Sequence, residues 1–214
     1  TGDLTLSGAV YNTGTVSYQA ASGKDIRITG TAPIFTGDTT AGDTIKFETA
    51  SDIVLSDGAS LTVTTVNNDI SFDGTIEGAD TGSSADETVT ITAITDGTGN
   101  VTLTGIGSGS AGTSGIKTVG VTATTITLEN GTGGDNAIYE TENDGAITFT
   151  GAVVLGANTI IDTDAGSTGG AVKFTSTINS DDNDAKRTLT IGSKGGAVTI
   201  GGAIGGSDNK NLGG

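Results

Sequence analysis

The residues of this sequence that could perform chemistry are its carboxylates. The densest acidic groups are Asp162 with Asp164, and Glu140 and Glu142 with Asp144. Glycoside hydrolysis requires two carboxylates at a defined separation inside a groove. The sequence places no aromatic cluster beside these acids, and it contains no Trp and only three Tyr. We therefore interpret them as solvated turn residues and assign no catalytic residue.

The composition excludes several other kinds of active site. The 214 residues include no His, Cys or Met. Zinc sites, thiol nucleophiles and Ser-His-Asp triads all require His or Cys, so none of them is possible. Glycine-rich stretches such as 105–115 are not followed by the Lys-Ser/Thr pair of a phosphate-binding loop. We expect no enzymatic activity and no cofactor.

The charge of the chain limits its partners. Nine Lys and Arg residues against 25 Asp and Glu residues give a net charge of −16, which repels phosphate backbones and anionic membrane surfaces. We therefore expect no nucleic-acid binding. We also expect no membrane insertion, because the apolar runs are only a few residues long. Acidic turns such as 133–136, 181–184 and 206–209 leave room for weakly bound divalent cations such as calcium.

One short strand pattern recurs along the chain. Its clearest copies are 145–153 (GAITFTGAV) and 196–204 (GAVTIGGAI), and 2–10, 99–107 and 170–178 are close to them. Taking the first apolar residue of each copy gives successive spacings of 22, 19, 25, 31, 25, 21, 25 and 26 residues, with a mean near 24. These first apolar residues are Leu4, Ile26, Ile45, Ile70, Val101, Ile126, Ile147, Val172 and Val198.

A unit of this length cannot bury its apolar side chains alone, so the copies are expected to stack. We predict an all-β protein, a parallel β-helix (β-solenoid) of about nine rungs of ~24 residues, right-handed by the rule for parallel crossovers. Residues 1–206 would form a single solenoid without caps, and 207–214 a Gly/Asn-rich tail. The alternative is tandem β-sandwich domains, which would also show short, closely spaced strands.

Alternation within each copy assigns its side chains to two faces. The predicted inward pairs are Leu4/Leu6, Ile26/Ile28, Ile45/Phe47, Ile70/Phe72, Val101/Leu103, Ile126/Leu128, Ile147/Phe149, Val172/Phe174 and Val198/Ile200. This register places Phe47, Phe72, Phe149 and Phe174 in one stacked column. The outward residues include Thr-x-Thr ladders that resemble those of ice-binding proteins. Charged residues interrupt this ladder on five of nine rungs, so we interpret the threonines as ordinary exposed strand residues.

The segments 145–153 (GAITFTGAV), 157–164 (ANTIIDTD) and 196–204 resemble the β-strand repeats of giant bacterial surface proteins, such as filamentous-haemagglutinin-type adhesins and autotransporter passengers. The resemblance implies an extracellular or cell-surface location and a structural or adhesive role in a fibre. It supplies no functional residue. We expect partners at the ends, either copies of the chain or its continuation, and glycans of a host or cell surface. The alternatives are a carbohydrate-active β-helix of the phage tailspike or polysaccharide lyase type, and a surface-layer module of sandwiches.

Overall fold

The computed structural model describes residues 2–37, 42–48, 52–79, 86–94, 97–107, 115–130, 136–163, 168–181, 186–206 and 212–213. These residues form strands and no helix, and hence contain no helix that could span a membrane. The strands are β1 (Leu4–Leu6), β2 (Val10–Thr13), β3 (Val16–Gln19), β4 (Ile26–Ile28), β5 (Ile34–Gly37), β6 (Thr44–Glu48), β7 (Ile53–Leu55), β8 (Ser60–Thr64), β9 (Asp69–Phe72), β10 (Ile76–Gly78), β11 (Glu87–Thr92), β12 (Asn100–Leu103), β13 (Ile116–Leu128), β14 (Asn136–Glu140), β15 (Ile147–Leu155), β16 (Asn158–Asp162), β17 (Val172–Phe174), β18 (Ile178–Ser180), β19 (Leu189–Gly192) and β20 (Val198–Ile200).

The strands stack in three parallel columns around one apolar core. The first column runs β1-β4-β7-β10 and continues through bridges at Ile106 to β14-β16-β19. The second contains β2, β5, β8, β11, the first part of β13, the first part of β15, β17 and β20. The third contains β3, β6, β9, β12, the later parts of β13 and β15, and β18. Because these pairings are parallel, they confirm the predicted all-β parallel solenoid.

The predicted single column is wrong, because its strands belong to different columns. Six of the eight predicted steps are real strand pairs, including Leu4 with Ile26 and Val101 with Ile126. The two shortest steps, of 19 and 21 residues, instead cross between columns. Ile26 pairs with Ile53 rather than with Ile45, and Ile126 pairs with Val153 instead of Ile147. The nine predicted rungs are not confirmed, and the second column contains eight stacked strands.

The predicted inward faces are confirmed along the middle of the solenoid. All the predicted pairs from Ile26/Ile28 to Val172/Phe174 are buried, whereas Leu4 is half-buried and Val198 is 46% exposed in the outermost rungs. The four phenylalanines that were predicted to share one column form two stacks. The ring centroids of Phe47 and Phe72 are 4.7 Å apart in the third column, and those of Phe149 and Phe174 are 5.3 Å apart in the second.

Glycine and hydroxyl residues form a repeating corner between the first and second columns. The hydroxyls of Thr141, Thr163 and Ser193 donate to the carbonyls of Gly145, Gly170 and Gly196 at 2.8, 2.8 and 3.1 Å, respectively. A Cβ on Gly170 would lie 1.9 Å from the Gly145 oxygen, and one on Gly196 would lie 2.0 Å from the Gly170 oxygen. The corner therefore requires glycine, because neighbouring turns touch backbone to backbone. This explains the Gly that opens the clearest sequence copies.

Candidate functional site

The interpretation of Glu140 and Glu142 as solvated turn residues is wrong, because both side chains are buried beside the glycine corner. Glu140 and Glu142 are 2% and 0% exposed, and the backbone N–H of Gly115 donates to Glu142 Oε1 at 3.4 Å. Glu140 stands beside Asp162 in the register of β14 and β16. The exposed Asp144 accepts a hydrogen bond from the Thr168 hydroxyl. Glu140 and Asp162 are thus adjacent, but the burial of Glu140 keeps a substrate from reaching both carboxylates.

The remaining predicted acidic positions contribute little to a site. Asp164 and residues 182–184 lie outside the described residues, as do 133–135 and 207–209. Asp181 forms an ion pair with Arg187, whose Nε lies 2.9 Å from Asp181 Oδ1. Such an exposed pair is worth little in stability.

The structure forms an acidic cluster that the sequence patterns do not indicate. Ligand oxygens of Asp57, Asp86 and Glu87 lie within 4.8 Å of one another. Asp57 and Asp86 are exposed, whereas Glu87 is buried and accepts a hydrogen bond from the Asp86 backbone N–H at 3.3 Å. Several oxygen ligands at close range suit a hard cation such as Ca²⁺. The only signal in the sequence is the separation of Asp57 from Asp86, which is close to one turn of the solenoid.

A shallow groove of about 300 Å³ lies on the outer side of the third column. Asn100 closes one side of it by donating its backbone N–H and its Nδ2 to Asp69 Oδ1, at 2.9 and 3.0 Å. The groove offers hydroxyl, amide, carboxylate and ammonium groups and no aromatic ring, so a ligand there would be held mainly by hydrogen bonds. Its lining consists of Thr44, Lys46, Asp69, Ile70, Ser71, Asn100 and Thr102.

The outer side of the first column contains a carboxylate that binds a proton near neutral pH. Burial, followed by the charges of Asp52 and Asp25, raises the pKa of Glu77 to about 7. In the same column, Arg27 forms ion pairs with Asp3 at 2.6 Å and Asp25 at 2.8 Å. The hydrogen bond from Arg27 lowers the pKa of Asp3. The first column therefore has ion-paired carboxylates in its first two strands and a crowded, protonatable one at β10, near its middle.

The outer side of the second column presents threonines in register, which we call the threonine face. One row is unbroken across five strands. A second row, which continues to Ile34 at one end and Lys173 at the other, has a glycine at one of the four positions between them. The rows are Thr36–Thr64–Thr92–Thr122–Thr150, Thr62–Thr90–Gly120–Thr148 and the shorter Ser60–Thr88–Thr118. The predicted ladder mixed residues of different columns: its charged positions Lys46 and Glu48 belong to the third column, whereas Lys173 follows Thr148 in the second row of this face.

Comparisons with known proteins found no match: no family model, no curated protein and no solved structure is significantly similar to this chain. The resemblance to adhesin repeats therefore stays an expectation.

Proposed function

We propose that the chain is a structural and adhesive segment of an extracellular bacterial fibre or surface protein. The observation that supports this proposal is that the parallel strand pairing continues without a break in all three columns. Each column passes from the first rung to the last through parallel pairs, and the buried apolar residues form one core cluster. Stacked strands with a shared core make a stiff rod, which suits a stalk that holds a contact surface away from a cell.

The outermost rungs support end-to-end contact as the mode of assembly. In the last rung, Val198 and Ile204 are 46% and 49% exposed although their partners Val172 and Ile178 are fully buried. Leu212 covers part of this end, where the Gly213 N–H donates to the Arg187 carbonyl. An apolar cross-section with open strand edges favours continued β-pairing. The partner is either a copy of the chain or its continuation, since a head-to-tail contact that does not close generates a filament.

At the opposite end, the first rung offers matching side chains. Tyr11 and Tyr18 are half-buried, and their rings stack on Phe35 and Phe47 with centroids 4.6 and 5.2 Å away. A following copy would place Ile200 of the second column against Tyr11 and thereby extend the same core. The outer groove of the third column would contact polar ligands such as cell-surface glycans along the side of the rod.

The assembly can be tested by sedimentation, which measures the mass of the particles as a function of protein concentration. Analytical ultracentrifugation of the purified chain at about 0.15 M salt, where the Debye length is about 8 Å, should show concentration-dependent association, and electron microscopy should show rods. The double variant V198D/I204D should remain a folded monomer. Thr199→Asp is the matched control, because Thr199 is exposed in the same rung but points outward. A wild-type chain that stays monomeric throughout, or a control that dissociates equally, would overturn the proposal.

A further inference from the structure

The threonine face is a two-dimensional lattice whose geometry is fixed by the backbone. Along a strand, alternate side chains are about 6.7 Å apart, and neighbouring strands are about 4.8 Å apart. Buried residues such as Val63, Ile91 and Val121 occupy the positions between the threonines, so the face cannot shift its register without exposing the core. Its side chains are therefore held in a repeating array before any ligand arrives.

The chemistry of the array is uniform. Its twelve positions comprise ten threonines, Ser60 and Gly120, and the charged Lys173 follows Thr148 at the edge of the array. Within the described parts of the chain, these threonine hydroxyls make no hydrogen bond to protein atoms, and the side chains are exposed or half-buried. Each threonine thus offers a methyl group and an uncommitted hydroxyl to the solvent.

A ligand for this face must itself be periodic in two dimensions, uncharged and able to both donate and accept hydrogen bonds. The face has no aromatic side chain on which a sugar ring could stack. Ordered water satisfies each requirement, because it can accept from and donate to the hydroxyls and pack around the methyl groups. We propose that the threonine face binds the surface of ice crystals. This inference is independent of the assembly proposed above, since it concerns the side of the rod and not its ends.

Gly120 provides a direct test, because it interrupts the row of Thr62, Thr90 and Thr148. A Cβ built on Gly120 meets nothing within 4 Å, and its backbone is not in the left-handed region. Gly120→Thr therefore completes the lattice without a clash. An inert structural face gains nothing from this change, whereas a face that binds a crystal lattice gains one more site in register.

The experiment measures thermal hysteresis and inhibition of ice recrystallisation by the purified chain. The wild type should shape ice crystals and slow their growth, and Gly120→Thr should do so at lower concentration. Thr122→Lys should lower the activity about tenfold or more, because an ammonium brings a strongly held hydration shell into the array. Thr127→Lys is the matched control: it lies on β13 too, but points outward from the third column, and it should retain the activity.

Circular dichroism of every variant checks that the fold is kept. Wild-type activity no greater than that of serum albumin at equal mass would overturn the proposal, as would equal losses in Thr122→Lys and Thr127→Lys. Sedimentation with microcrystalline cellulose is measured in parallel. Binding to cellulose that Thr122→Lys abolishes, without any effect on ice, would overturn it in favour of a crystalline polysaccharide.

Discussion

The division of the phenylalanines between two columns predicts which of them are energetically coupled. Phe149 is fully buried, with the Phe174 ring 5.3 Å away and the Tyr139 ring 6.2 Å away. Phe149→Ala should destabilise the fold by about 3–5 kcal/mol, the usual range for emptying a large core position. Thr148→Ala, one residue away on the outer side, should cost no more than about 0.5 kcal/mol. Urea unfolding followed by circular dichroism measures both.

A double-mutant cycle with Phe→Leu changes tests the columns themselves. Phe149 and Phe174 should couple by about 0.5–1.5 kcal/mol, as expected for a pair of packed rings. Phe72 and Phe149 have no ring contact among those of the described residues, so their effects should add to within about 0.5 kcal/mol. Coupling of Phe72 to Phe149 as strong as that of the stacked pair would refute the three-column register and restore a single column of phenylalanines.

Three further outcomes are expected. Glu77→Gln should stabilise the chain at pH 8, by about 1 kcal/mol after allowance for solvent screening, and the gain should vanish below pH 4.5 in thermal melts. The reason is that a folded pKa raised to about 7 contributes stability at low pH that is lost as pH rises through 7. Gly170→Ala should lower the melting temperature, at a cost of about 3 kcal/mol, because its Cβ would lie 1.9 Å from the Gly145 oxygen. Gly120→Ala should instead stabilise the fold by about 0.5–1 kcal/mol and so raise the melting temperature. A fall in the melting temperature would contradict the open position found there.

The alternation of side chains could be predicted from the sequence, but the assignment of strands to columns could not. Alternation is local: Ile147 and Phe149 are buried and Thr148 is not, as the pattern requires. Column membership depends on which turn lies above, and all three strands of a turn share the same apolar-polar-apolar pattern. Ile26 and Ile45 therefore look equivalent in sequence, although they belong to the first and third columns.

The same limitation concealed the candidate sites. The threonine face is regular only when Thr64, Thr92 and Thr122 are placed in one row, and the predicted single column included none of the three. The cluster of Asp57 and Asp86 with Glu87 is likewise created by stacking across a turn. Composition could exclude chemistry, because a missing residue type is missing in any register. It could not position the residues that are present.

The repeating corner has a consequence for how such a chain changes its length. Gly145, Gly170 and Gly196 occupy equivalent places in successive turns, so the segment from one glycine to the next is a complete modular unit. Duplicating or deleting that unit in the gene would preserve the corner hydroxyl bond, the buried rows and the outer array of the turns on either side. Each event would change the length of the solenoid by about 4.8 Å, the spacing of neighbouring strands. The length of the solenoid can therefore evolve in steps of one turn.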